Sequence, residues 1–363
     1  MILTIHVPGT TVKQDQKSLV VRIPPEKTPR TRDEYKDGLP DEFKPRIIKV
    51  SVHRLTSVVI AGNTGITMPV LKLLSKHAVP VILLDRNRPV AVINPYAAHG
   101  SVEVRKKQFK AIEDERGFDV AKSIIDAGLE NKARLLLLLA KNRNPRQPQL
   151  ASLLRSAAKG IRIVKEKLDH VQWNEDITTV RYKLMGVEGE GSRLYFSTLH
   201  HVLPPAFAFT GRNRRPPKDP VNAILSLGYT IMQGFITTAV ASVGLEPYAG
   251  FLHADRSGKP SLVLDLMEEF RQPIVDRLVL KLVNTQILKI NDFTADSRGV
   301  RLTKSGLDEF FRRILKRLAP MRQTELARLD EHNYYDEILY QSRKLSRFLM
   351  GRSGSYKPYI MDW

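Results

Sequence analysis

At 363 residues and 42% hydrophobic content, the chain can fill a sizeable core and exceeds what one core usually fills, so two domains are expected. A formal net charge of +20 attracts polyanions, which favours nucleic acid as the partner and sets a membrane surface well behind it. The absence of cysteine excludes disulfides, thiolate metal sites and a cysteine nucleophile, so any metal must rest on oxygen and imidazole, and it fits the cytoplasmic, reducing setting expected by default.

In chain order, residues 1–7 alternate like a strand and lack the charged head and apolar run of a secretory signal. Residues 23–45, with five prolines, read as a mobile insert without chemistry. Val50–Leu55 and Ser57–Ala61 are short and β-branched, and Thr67 then opens a short helix carrying Val70, Leu71, Leu73 and Leu74. Pro80–Asp85 and Val90–Ile93 read as further strands joined by a turn. A small β-rich domain with one short helix is therefore expected over 1–100, and a linker over 101–115.

From there the texture is helical, with amphipathic stretches at Val120–Lys141 and Leu150–Val171 separated by a Pro/Asn/Arg loop. Ala223–Leu245 carries no charge over a length that could cross a bilayer. Its Ser226, Thr230, Gln233 and Thr237 make it instead a buried central helix of a helical domain. The expected fold is α+β in two domains: a small N-terminal β-domain with a short helix, and a larger all-α C-terminal catalytic domain over 116–363. Gly62-Asn63-Thr64-Gly65 lacks the Gly-Lys-Ser/Thr ending of a phosphate loop, which leaves chemistry that needs no nucleotide energy.

Three clusters in the helical part carry that chemistry. Gly186-Val187-Glu188-Gly189 reads as an acidic turn directly before a helix, although Glu188 or Glu190 would also complement a helix N-terminus. His253 follows a turn-like Pro247–Gly250 segment, where a structural histidine would also fit. Asp265 and Glu268 lie three apart on one helical face. Arg271 would balance them as a solvated acidic face, but Asp265 sits in an apolar run where a charge needs a partner. Carboxylates with one imidazole suit Mg²⁺ or Mn²⁺. Arg193, Arg212, Arg214, Arg215 and Lys218 could clamp phosphates, as could the helical row Arg155, Lys159, Arg162 and Lys165.

The order and spacing of several motifs resemble one family throughout the helical part. They are Gly186–Gly189 with Arg193 and Tyr195-Phe196; Arg214-Arg215-Pro216-Pro217 with Asp219; Gly244-Leu245-Glu246-Pro247; Gly250-Phe251-Leu252-His253; and Asp265-Leu266-Met267-Glu268-Glu269-Phe270-Arg271. The family is the CRISPR-associated integrases, the Cas-one proteins of CRISPR adaptation, and Val50–Ile93 resembles its N-terminal β-domain. The resemblance implies a metal-dependent DNA endonuclease and integrase that uses Mg²⁺ or Mn²⁺. It implies a homodimer, formed through the N-terminal domain, that assembles with the small Cas-two protein on double-stranded DNA and inserts captured fragments into a CRISPR array. Its metal ligands fall on Glu188, His253 and Glu268, with Asp265 close enough to assist and Glu190 ranked below Glu188. A non-catalytic DNA-binding scaffold and a branched-DNA repair nuclease are the competing readings.

Overall fold

The structure is a computed structural model that describes residues 2–5, 7–25, 44–55, 57–61, 63–85, 88–93, 102–144, 146–173, 176–213, 216–254, 256–297, 299–318 and 334–362. Residues 26–43 of the expected insert, and Arg214 and Arg215 of the expected phosphate clamp, lie outside the described residues. The chain divides into two compact units, Met1–His99 with Ala319–Glu331, and Gly100–Leu318 with His332–Trp363.

The first unit holds β1 (Ile2–Ile5), β2 (Thr11–Asp15), β3 (Ser18–Ile23), β4 (Arg46–Ser51), β5 (Ser57–Ala61), β6 (Gly65–Ile66), α1 (Met68–Lys76), β7 (Val81–Asp85) and β8 (Arg88–Ile93). One sheet runs β1-β5-β7-β8, parallel except at β8, and a second runs β4-β3-β2-β6. In β5 the consecutive Val58, Val59 and Ile60 are all buried, the pattern of a strand covered on both faces. Val70, Leu73 and Leu74 of α1, spaced i, i+3, i+4, share a core with Leu3, Val12, Leu19 and Val81. The stretch expected as one strand over Val50–Leu55 ends at Ser51, because a 3-10 turn at Val52–Arg54 sinks Val52 into that core. The β2–β3 hairpin turns through Gln16 at φ 52°, so no glycine or asparagine signals it in the sequence.

The second unit contains α2 (Val102–Ile112), α3 (Glu115–Arg143), α4 (Pro148–Glu166), α5 (Ile177–Leu199), α6 (Pro220–Ser242), α7 (Ser261–Phe270) and α8 (Arg277–Asn284). It continues with β9 (Phe293–Asp296), β10 (Gly299–Leu302), α9 (Lys304–Leu318) and α10 (Tyr334–Leu349). Two expectations are corrected here. The 101–115 linker is mostly helix, since Val104, Gln108 and Ala111 form a buried stripe and the Gln108 amide donates to the carbonyls of Glu246 and Ala249 at 3.0 and 2.7 Å. The C-terminal part is not all-α, because the antiparallel β9–β10 hairpin interrupts it. The charge-free stretch is α6, with mean hydropathy 1.4 and 72% of its most apolar window buried within the protein.

Asp114, Asp176 and Asp219 cap α3, α5 and α6 by accepting the backbone N–H of Arg116, Thr178 and Asn222. Helix α3 packs against α4, α5 and α7, and a glycine sets its crossing with α5. A Cβ on Gly191 of α5 would stand 2.3 Å from Cδ2 of Leu129, and one on Gly128 would meet the Glu268 backbone oxygen of α7 at 3.4 Å. Gly191→Val is therefore expected to destabilise the helical unit by about 1–3 kcal/mol through overpacking against the fully buried Leu129, measured as a fall in the urea midpoint.

Candidate active site

Glu188 lies in the interior of α5, so the expected acidic turn is helix. Of the glycines around it, Gly191 serves close helix approach rather than chain reversal, and packing against α3 and α4 overrides their poor helix propensity. Helix α5 also carries Arg181, seven residues before Glu188 and on the same face. The Arg181 guanidinium donates to the carbonyls of Phe251 and Gly250, both at 2.8 Å. The same loop is gripped from its other side by Asp265 of α7, whose fully buried carboxylate accepts the N–H groups of Phe251 (2.6 Å), Leu252 (3.0 Å) and His253 (2.9 Å) and Nδ1 of His253 (2.7 Å).

One frame thus joins the three candidate residues: α5 bears Glu188 and, through Arg181, holds the loop bearing His253. Helix α7 holds the same loop through Asp265 and bears Glu268 one turn further on. With both its oxygens accepting hydrogen bonds, Asp265 orients the histidine and holds the proton on Nδ1, which leaves Nε2 as the nitrogen that could coordinate a metal. Gly250 is required there, since a Cβ would lie 2.8 Å from the Ser261 backbone carbon and 2.9 Å from Asp265 Oδ2.

Each candidate carboxylate closes on a cation of the protein. Lys132 of α3, only 2% exposed, places Nζ 3.4 Å from Glu188 Oε1, which also accepts the Ser192 hydroxyl at 2.5 Å. Arg271 contacts Glu268 Oε1 at 3.0 Å and lies over the Tyr229 ring, 4.8 Å from its centroid. Burial works to raise the Glu188 pKa, but the charge of Lys132, the Ser192 hydrogen bond and Arg271 more than offset it and hold the carboxyl below its ordinary value. Among the described residues no three His, Asp or Glu side chains gather closely enough to enclose an ion, so the candidates share a frame rather than a single point. Their donor chemistry nevertheless fits a hard divalent cation: two ionisable carboxylates and an imidazole whose Nδ1 is already engaged by Asp265.

Beyond Glu268 the helix widens to a π turn over Arg271–Asp276, at Pro273, which lacks the N–H needed to continue the α pattern. Arg317 donates Nε to the Pro273 carbonyl at 2.9 Å. Within this turn Asp276 is fully buried and accepts the hydroxyls of Tyr195 (2.9 Å) and Tyr229 (2.5 Å), tying α5 and α6 to the π turn. On the other side of α7, Glu269 accepts the Tyr356 hydroxyl (2.5 Å) and the Tyr359 N–H (2.7 Å) of the C-terminal segment, while Asn131 bonds both Glu269 O and Tyr359 O.

Burial of Glu269 pushes its carboxyl from the ordinary 4.5 up to about 7 despite those hydrogen bonds. Between these two values the folded protein holds a proton that the unfolded chain has lost, so stability falls as pH rises from 4.5 to about 7 and levels off above. Urea midpoints across that window are expected to slope less in Glu269→Gln than in the parent protein.

The expected phosphate contacts divide. Arg193 and Lys218 are exposed. Arg212 is instead built into the fold: it donates to Asn222 Oδ1 (2.7 Å), Ser226 Oγ (3.0 Å) and the Asn213 carbonyl, and covers Tyr229. In the α4 row, Arg162 and Lys165 pair with Glu130 and Asp126 of α3, and Arg155 reaches Asn144, so that row mainly joins α4 to α3. Sequence reasoning missed Arg181 and Lys132 as parts of the site, and placed Arg271 only as the balance of a solvated acidic face, whereas it pairs with Glu268. Arg181 was legible only once α5 was known to be continuous, while Lys132 sat in view as a charge inside an apolar helix.

Paired carboxylates on two helices, a loop imidazole oriented by a buried aspartate, and a chain of net charge +20 define an enzyme of phosphodiester chemistry on nucleic acid. The chain belongs to the Cas1 family of CRISPR-associated endonucleases, since residues 3–316 match the family described as CRISPR associated protein Cas1. The CRISPR-associated endonuclease Cas1 1 of Archaeoglobus fulgidus is 35% identical over 321 residues, which is 87% of this chain and 92% of that protein. Among solved structures, a casposase bound to integration product superimposes with TM-score 0.71 at 22% identity, covering 99% of this chain and 94% of its own. The chain of a partial Cas6-RT-Cas1–Cas2 complex does so with TM-score 0.70 at 21% identity, covering 100% and 99%. These two likenesses establish the fold.

Proposed function

We propose that this protein is the integrase of CRISPR adaptation, joining the 3′-hydroxyls of captured duplex DNA to phosphodiesters of a CRISPR repeat, and that it uses Mg²⁺ or Mn²⁺ held by Glu188, His253 and Glu268. The observation that carries this reading is the loop 250–253, which Arg181 and Asp265 suspend between the two carboxylate-bearing helices. When bound, the ion supplies Lewis acidity, polarising the scissile phosphate and lowering the pKa of the attacking hydroxyl or water. Asp265 keeps the His253 proton on Nδ1, Arg181 fixes the loop against α5, and the buried setting of Glu268 excludes water from that carboxylate. Exposed Arg193 and Lys218 hold the DNA backbone by charge, without reading sequence.

The same reading makes the N-terminal unit a dimerisation domain and gives the protein a small Cas2 partner. It is supported by the fold shared with the chain from the Cas1–Cas2 complex. The test is an integration assay on supercoiled repeat-bearing DNA with and without Cas2, using duplexes with free or blocked 3′ ends. Joining that needs both the divalent ion and the free 3′-hydroxyl is the expected result. Cleavage of branched DNA with no joining to the repeat would overturn the reading.

A further inference from the structure

Two largely buried cations pair with the candidate carboxylates of the site. Lys132 is 2% exposed, and a lysine is almost never so buried unless paired; its partner is Glu188. Arg271 is paired through Nη2 to Glu268, yet its Nε is buried without any hydrogen-bond partner. A buried guanidinium N–H left unbonded is costly, and the acceptor it lacks is one that a phosphate oxygen would supply. Burial works against the Arg271 charge, and Glu268, Tyr229, Glu188 and Asp276 together more than offset it, so the guanidinium senses both candidate carboxylates. Two carboxylates therefore face two cations, and their charge is balanced before any metal arrives.

We propose that Lys132 and Arg271 are resident counter-cations that weaken divalent-metal binding in the DNA-free protein, and that a DNA phosphate, drawing the 13%-exposed Arg271 side chain outward until its unbonded Nε can donate, relieves this competition. Metal and DNA then strengthen each other's binding by the same factor, since coupling between two sites is reciprocal. The protein is in this way kept from becoming a loaded nuclease until a strand lies in place. The inference rests on the metal-site reading above and adds to it the two residues that set the order of loading.

The test measures Mn²⁺ affinity of the full-length protein by the EPR signal of free Mn²⁺, with and without a short duplex. In the parent protein the duplex is expected to tighten Mn²⁺ by about tenfold or more, the scale of removing one like charge from a partly buried site. Lys132→Met is expected to tighten Mn²⁺ without DNA and to shrink the gain that DNA brings. Arg271→Lys keeps the charge but removes the Nε donor, so it is expected to bind Mn²⁺ as the parent does without DNA and to lose most of the DNA-dependent gain; this variant carries the test if Lys132→Met does not fold. Parent protein that binds no Mn²⁺ in either state would sink the metal site itself. Parent protein that binds Mn²⁺, with folded variants showing unchanged affinity and unchanged coupling, would overturn this inference alone.

Discussion

Glu268→Gln is expected to slow strand joining by about 10²–10³-fold, the scale of removing one group that stabilises developing charge, while the helical unit stays folded. Glutamine can still accept from Arg271 Nη2, which Glu268 contacts at 3.0 Å, so packing survives and only the carboxylate charge is lost. Glu268→Ala confounds the two effects: it strands a buried guanidinium, at a cost of about 3–5 kcal/mol. His253→Ala and Glu188→Gln should each lower joining to a similar floor. Because groups that act as one unit are not additive, a double variant should be little slower than either single one. Joining rates set beside urea midpoints check this, and a folded Glu268→Gln protein at the parent rate would remove Glu268 from the chemistry.

Loss of Asp265 should be among the costliest changes in stability at the site. Its fully buried carboxylate accepts three backbone N–H groups and the His253 ring, so Asp265→Ala leaves four donors unsatisfied and is expected to destabilise by about 3–5 kcal/mol. Asp265→Asn should be milder in stability but still severe in joining, because an amide cannot hold the imidazole proton on Nδ1 as an anion does. NMR of the His253 ring distinguishes this role from a merely structural one: the Nδ1–H tautomer should dominate in the parent protein and lose its preference in Asp265→Asn. An unchanged tautomer with unchanged joining would contradict the orienting role.

Much of this was open to reading along the chain. Charge and the lack of cysteine pointed to nucleic acid and hard ligands. The apolar spacing in α1, α3 and α4 located those helices, and α6 was separated from a membrane span by its own hydroxyls and amides. Where the reading failed, tertiary contacts overrode a local signal. Of the glycines that suggested a turn at Gly186–Gly191, Gly191 proved to be a contact point on α3, and a supposed linker became α2 because Gln108 found carbonyls more than a hundred residues away. The positive charge of Arg212 and of the α4 cations was legible, but their internal hydrogen bonds and ion pairs were not, since the partners lie on other helices.

By itself, then, the order of amino acids determined the kind of chemistry and the helical setting, which follow from composition and from periodicities that span only a few residues, and its motifs carried the family resemblance that implies the candidate ligands. The tertiary structure alone decided that Asp265 steadies the histidine, that Arg181 binds the histidine loop to α5, and that Lys132 already pairs with Glu188. Those roles arise from hydrogen bonds and ion pairs between elements distant along the chain, and a short-range pattern carries no record of which charges will be buried face to face.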